Sequence, residues 1–406
     1  MARLERIIER LELKEFQLKA LLDVTKAINN NVPHGDLLKL YEKIVREDLG
    51  ITRLLLFERT DRWERILAFG VTEENDMDME QAFGGFTDIQ VIGSESAGSL
   101  GAFDVAVPVY HRDKPLAFLL IGDIDEEEQR MSPTVKHLNF IQTLTNLIVV
   151  AMENRRLAAE TLQRERDRRE LELAREMQRM LVPAILPNTD NIQAAAWYQP
   201  HSQVGGDHYD LIALEDGTYV ACVADVSGKG IAAALLMSNF QANLHASVRH
   251  TTDLVELVNE LNGRVHTNAR GERFITLFIG HIDLVARRIR YVNAGHNDPL
   301  LRGPDGIIPL HDGCIALGMM PKLPFLRVGE VALPAASTLL CYTDGLVEQE
   351  DAHGIAFETD KLTDLLNDLH AAGPEAINSA LITAFETHRN GQPYLDDIAV
   401  LTCRFA

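Results

Sequence analysis

Five acidic residues stand where a solvated surface carboxylate has no reason to be. Asp207 follows Gly205-Gly206 and opens a strand-like run. Asp225 closes the run Tyr219–Ala224 and precedes Val226-Ser227-Gly228-Lys229-Gly230. Asp344 closes Thr338–Thr343 and precedes Gly345. Asp396 and Asp397 open the run Ile398–Cys403. Any one Asp beside Gly at a strand end can serve as a plain turn residue. A set gathered by the fold is different, because clustered carboxylates repel one another unless cations sit among them. Oxygen-only ligands select hard ions, Mg²⁺ or Mn²⁺.

The elements that would position these groups follow from periodicity. Ile192–Tyr198, His208–Leu214 and Tyr219–Asp225 read as strands, the last two joined by a turn at Glu215-Asp216-Gly217. Ile231–His250 and Asp253–Ala269 have helical spacing. Phe274–Leu284, Arg287–Asn293, Ile307–Leu310, Leu326–Leu333 and Thr338–Thr343 return to the strand pattern, followed by helices near Lys361–His370 and Pro374–Thr387 and a last strand, Ile398–Phe405. The order predicts an α+β chain whose residues 185–406 form two antiparallel sheets between helix pairs, an α-β-β-α sandwich.

Five motifs occur in order: Gly205-Gly-Asp-His-Tyr-Asp210, Asp225-Val-Ser-Gly-Lys-Gly230, Asn293-Ala-Gly-His296, Tyr342-Thr-Asp-Gly345 and Asp396-Asp-Ile-Ala399. Together with the leading helix Met177–Pro183, they resemble PPM-type serine phosphatases of the SpoIIE/RsbU kind. The resemblance covers residues 173–406. It implies two Mn²⁺ or Mg²⁺ ions, with Asp225 bridging them and the Val226 carbonyl assisting. Asp207 would hold one ion and Asp344 the other, together with Asp396 or Asp397, of which the family pattern favours Asp396. It also implies in-line attack of an activated water on a phosphoseryl or phosphothreonyl phosphorus. Ser227 stands where eukaryotic relatives carry a His, and His208 stands where Tyr is usual; strand alternation turns His208 away from Asp207. Lys229, Ser227 and His296 are candidate substrate contacts, with a solvated lysine and a backbone-satisfying histidine as the plainer readings.

The N-terminal part has a different period. Residues 1–30 and 36–48 read as helices, the first with Leu4, Ile7, Ile8, Leu11, Leu18, Leu21 and Leu22 near one face. Ile51–Phe57 and Arg65–Phe69 read as strands, and Asp104–Tyr110 and Pro115–Ile121 as a hairpin. Residues 1–152 resemble a GAF domain, a ligand-sensing module, most visibly in Pro108–Gly122. The resemblance implies a small-molecule or protein signal. No Cys occurs in residues 1–172, so a cysteine-linked chromophore is not expected there. Residues 153–184 read as a helical linker, wholly polar from Gln163 to Glu170 and ended by Pro183. Leu173, Ala174, Met177 and Leu181 form an apolar face that should pack, either as a rigid spacer or as a two-position switch. This linker and the N-terminal stripe lead to the expectation of a parallel homodimer.

The formal net charge of −21 disfavours nucleic acid as a partner. No run is apolar enough to span a bilayer, and the N-terminus lacks the apolar core of a signal peptide. Cys222, Cys314, Cys341 and Cys403 form no C-x-x-C pair and read as buried thiols of a cytoplasmic protein. Two enzyme rivals fail on sequence. In a diguanylate cyclase Gly205-Gly-Asp would continue as Glu-Phe, whereas His208-Tyr209 follows. A P-loop would need Gly where Val223 stands and Ser or Thr where Gly230 stands. A catalytically degenerate signalling scaffold would have lost a carboxylate, and none is lost. The resemblance implies, as substrate, a phosphorylated STAS-domain protein in a partner-switching pathway, the opposing kinase being a separate chain.

Overall fold

The computed structural model describes residues 2–71, 79–83, 85–92, 103–111, 114–122, 133–183 and 185–406. The chain divides into two compact units, Met1–Glu165 and Arg166–Ala406. Arg112 and Asp113, the turn of the expected hairpin, lie outside the described residues.

The first unit opens with helices α1 (Ala2–Asn29) and α2 (His34–Glu42), the latter continued by a wider π-helical turn over Lys43–Asp48. Strands β1 (Arg53–Arg59) and β2 (Trp63–Phe69), helix α3 (Met79–Phe83) and strands β3 (Gln90–Val91), β4 (Val105–His111) and β5 (Lys114–Gly122) follow. They form one antiparallel sheet in the order β2-β1-β5-β4-β3. Leu54 and Leu56 point to a core shared with α1, α2 and α4 (Pro133–Arg179), whereas Leu55 and Phe57 meet Met79, Phe83 and Phe118 on the other face. Burial on both faces explains why β1 reads as a continuous apolar run rather than an alternating one. The apolar stripe of α1 is divided. Ala20 and Val24 are buried, but Leu4, Ile7, Ile8, Leu11, Leu18 and Leu22 are exposed.

In the second unit α4 ends at Arg179, where a turn leads to Pro183. The strands are β6 (Ile192–Gln199), β7 (His208–Ala213), β8 (Tyr219–Val226), β9 (Ile275–Asp283), β10 (Arg288–Ala294), β11 (Leu300–Gly303), β12 (Gly306–Pro309), β13 (Gly313–Cys314), β14 (Gly329–Ala332), β15 (Ser337–Tyr342) and β16 (Ile398–Phe405). The helices are α5 (Ile231–Ser247), α6 (Leu254–Ala269), the short turn α7 (Asp344–Val347), α8 (Thr359–Asp368) and α9 (Pro374–Arg389). One sheet runs β13-β10-β9-β8-β7, with β14 also on β10; the other runs β12-β11-β15-β16-β6. Pairing is antiparallel except where β13 runs parallel to β10. The sheets face each other through Tyr209, Val223, Phe278, Leu339 and Leu401. α5 and α6 cover the outer face of the first sheet, and α8 and α9 that of the second. Four layers therefore put the strand ends carrying the acidic residues at one rim.

Two details differ from the sequence reading. β11 was not anticipated: four residues behind Asn297-Asp298-Pro299 give too short a run to stand out, although β12 pairs with it. The linker face also differs. Leu173 and Met177 are exposed, and Gln178 instead faces the second unit. A polar side chain makes this contact, so apolar spacing could not reveal it.

Candidate active site

The site is built on close backbone approaches that glycine permits. A Cβ on Gly205 would lie 2.9 Å from Asp397 Oδ2 and 2.3 Å from Tyr198 Oη. A Cβ on Gly345 would lie 2.1 Å from the Asp397 carbonyl oxygen. Larger residues would therefore push apart the three chain segments that carry the carboxylates. Asp397 fixes the loop before β7, because Oδ1 accepts from His201 N at 2.7 Å and Oδ2 from Gly206 N at 2.6 Å. Gln178 holds the same loop from α4. Its Oε1 accepts from Gly205 N at 3.0 Å and its Nε2 donates to Gly205 O at 2.5 Å.

Asp207 is buried, and its Oδ2 accepts from Thr343 Oγ1 at 2.7 Å. Thr343 Oγ1 in turn accepts from Ala399 N at 2.8 Å, so one hydroxyl ties together the ends of β7, β15 and β16. Asp225, at the end of β8, shares a hydrogen bond with Asp207. The Val226 carbonyl oxygen lies only 3.2 Å from where a Cβ on Gly206 would be. Asp344 begins α7 and feels Asp396 across the rim. Asp396 Oδ1 accepts from Asp397 N at 2.8 Å, and its Oδ2 lies 2.9 Å from Lys229 Nζ. Lys229 also donates to the Leu395 carbonyl.

The electrostatics are those of crowded anions. Burial first, and Asp344 next, push the Asp225 carboxyl up to about 7. Burial and then Asp225 and Asp397 hold Asp207 well above the carboxylate range, against the Thr343 hydrogen bond. Asp344 is raised by burial and then by Glu348 and Asp396; Asp397 is raised by burial, against the amides it binds. The phenol of Tyr198 is also driven upward by burial, then by Asp397 and Asp207.

The remaining sequence candidates are placed as follows. Ser227 Oγ accepts from Phe274 N at 2.9 Å, and its carbonyl accepts from Arg273 Nη1 at 2.6 Å, so it joins β8 to the loop before β9. His296 is buried, with Nδ1 2.9 Å from Thr276 Oγ1 and its N–H on Asn293 Oδ1 at 2.7 Å; burial lowers its pKa to about 4, against the Tyr342 carbonyl. His208 faces away from Asp207, as alternation requires, and lies 3.7 Å from Asp210. Tyr198, Thr343 and Gln178 escaped the sequence reading. Thr343, inside the Tyr342-Thr-Asp-Gly345 motif, and Gln178, inside the leading helix Met177–Pro183, carried a local signal; Tyr198 carried none.

These residues fit hard divalent ions. Every donor is an oxygen, and burial first and neighbouring carboxylates next raise Asp207, Asp225 and Asp344, the condition a cation relieves. Among the described residues no three His, Cys, Asp or Glu side chains converge tightly enough to enclose an ion alone. Mg²⁺ does not need that: it binds through one or two carboxylates and keeps several waters. Asp207 with Asp225, and Asp344 with Asp396, meet this requirement.

The layered arrangement recurs in a solved structure. The second unit is similar to the SiaA-PP2C domain of Pseudomonas aeruginosa, with a TM-score of 0.52 and 21% identity over 60% of this chain and 99% of that one. Residues 215–406 match the family described as Stage II sporulation protein E (SpoIIE). Among curated proteins it is 26% identical to Protein IcfG of Synechocystis over 58% of this chain and 41% of that protein. It is 27% identical to the phosphoserine phosphatase RsbP of Bacillus subtilis over 57% of this chain and 56% of that protein. The chain thus spans about half the length of the curated relatives it matches.

Proposed function

We propose that residues 185–406 form a protein serine/threonine phosphatase that uses two Mn²⁺ or Mg²⁺ ions. The gathering of Asp207, Asp225, Asp344 and Asp396 at one rim carries this reading, because buried, crowded carboxyl groups form a site that a fold without metal has no reason to keep. The name of RsbP, a phosphoserine phosphatase, supports it. Asp225 would bridge the ions with help from the Val226 carbonyl, Asp207 would serve one, and Asp344 with Asp396 the other. We assign Asp396 rather than Asp397 because both Asp397 oxygens accept amides of the loop before β7, whereas Asp396 Oδ2 meets only the part-exposed Lys229 side chain. Bound ions would activate water and offset charge on the phosphoryl oxygens. The chain's own residues hold the site open: Thr343 orients Asp207, Asp397 and Gln178 fix the loop before it, and Lys229 carries a positive charge at the rim. Ser227 serves the backbone, and the His296 ring meets the Thr276 hydroxyl.

The substrate on this reading is a phosphoserine or phosphothreonine in a STAS-domain protein of a partner-switching pathway, in the cytoplasm. Four buried free cysteines are consistent with a reducing compartment. Among the described residues no helix is long and apolar enough to cross a membrane. Residues 1–152 serve as a GAF-like sensor and residues 153–184 as the connecting helix. The exposed apolar side chains of α1 support a homodimer in which that stripe is covered. Calorimetric titration of Mn²⁺ into the full chain tests the site. Two ions bound by the parent protein, and fewer by Asp344→Asn, are expected; no binding by the parent protein would end the proposal.

A further inference from the structure

A cavity of about 430 Å³ opens in the N-terminal unit on the helix-covered face of the sheet, beside β2. That volume is in the range of small-molecule pockets, about 300–1,000 Å³. Glu58, Thr60, Glu64 and Ile66 of the sheet side, His34 and Leu37 of α2, and Met152, Arg155 and Arg156 of α4 line it. Glu58 follows Leu54 and Leu56 along the same face of β1 and is only 8% exposed. Among the described residues it accepts no hydrogen bond and makes no ion pair within 4.0 Å. Register sets Glu64 directly opposite, an unfavourable pairing of like charges.

The neighbouring charges are already occupied. Glu64 pairs with Arg62 at 2.9 Å, and Arg156 is gripped by Glu153 at 2.8 Å and Glu160 at 3.0 Å. Arg155, at the rim, donates to the carbonyls of Val32 and Asn31 and has no carboxylate within 4.0 Å among the described residues. One cavity therefore presents a buried carboxylate with no ion pair within 4.0 Å, on which the Arg156 charge acts only from further off, and a guanidinium at the rim, beside the apolar side chains of Leu37, Ile66 and Met152. A bare buried carboxylate is a cost to the fold. Natural chains keep such local costs mainly at functional sites.

We propose that this cavity binds a small zwitterion of the amino-acid class, with its ammonium on Glu58, its carboxylate on Arg155 and its side chain against Leu37, Ile66 and Met152. This goes beyond the phosphatase reading and does not depend on it. The test is the melting temperature of the full chain with each proteinogenic amino acid at millimolar concentration. For any that acts, the matching amine without a carboxylate and the matching acid without an ammonium are added singly. At least one apolar amino acid should raise the melting temperature while its two analogues do not. Glu58→Gln and Arg155→Gln should each weaken binding about tenfold or more, as expected for losing a charge-assisted hydrogen bond. Without ligand, Glu58→Gln should melt at or above the parent protein, because an unpaired buried charge is removed. Three results would overturn the proposal: no amino acid acts, binding survives both substitutions, or ligand-free Glu58→Gln melts well below the parent, which would show that the carboxylate serves the fold.

Discussion

Asp225→Asn should make the metal-free protein more stable while abolishing its activity. Asp225 rises from its ordinary 3.8 to about 7 on folding, through burial and then Asp344. At about 1.36 kcal/mol per pH unit, this corresponds to roughly 4 kcal/mol lost when the group ionises in the folded chain. The sign follows from proton uptake. The folded form holds the proton more tightly, so stability is greatest below 3.8 and declines as pH rises through about 7. Removing the charge, with an amide that can donate to Asp207, should recover about half of this, roughly 2 kcal/mol. For a unit of this size that is about 4–8 °C in melting temperature. Calorimetry in EDTA at pH 7.5 reads this directly, and a repeat with MnCl₂ should raise the parent protein but not the variant. A variant that melts below the parent in EDTA would refute the reasoning, since Asp225 would then be a stabilising partner rather than an unrelieved charge.

Three further outcomes follow from other parts of the unit. Asp210 is the opposite case: the His245 hydrogen bond and the nearby His208 overcome burial and bring it down to about 2, so Asp210→Asn should cost about 2 kcal/mol in urea unfolding at pH 7, a difference that fades as pH falls from about 4 to 2. Gln178→Ala removes both bonds to Gly205, each worth about 1 kcal/mol, and should weaken Mn²⁺ binding about tenfold by calorimetric titration, whereas exposed Met177→Ser should leave it unchanged. Initial rates should favour phosphoserine over phosphotyrosine in a folded protein, because the sequence has no Cys-x5-Arg loop to supply a thiolate nucleophile; faster release from phosphotyrosine would count against the two-ion reading.

Much of the second unit was legible because its elements have clean periods. Asp225 and Asp344 stood out because each ends an apolar run just before a glycine-containing turn, and the structure brings them to one rim with Asp207 and Asp396. Single-residue polar contacts left no trace in periodicity. Gln178 lies on a helix whose apolar spacing pointed to Leu173 and Met177, and its role depends on a loop 27 residues away in sequence. The differing parts of Asp396 and Asp397 were unreadable for a similar reason. Adjacent carboxylates look alike until the amides of His201 and Gly206 are seen on one and Lys229 on the other. In the first unit burial on both faces of β1 erased the alternation that would have marked Glu58 as facing the helices.

The central claim is that the clustered carboxylates hold ions that hydrolyse phosphoserine. Phosphate release from a phosphoserine-bearing protein by the full chain tests it most directly, measured with Mn²⁺, after EDTA, and after Mn²⁺ is restored, in parallel with Asp225→Asn and Asp344→Asn. Release should stop with EDTA, return with Mn²⁺, and fall by at least about a hundredfold in both variants. Undiminished release after metal removal, or full activity in both folded variants, would contradict the account.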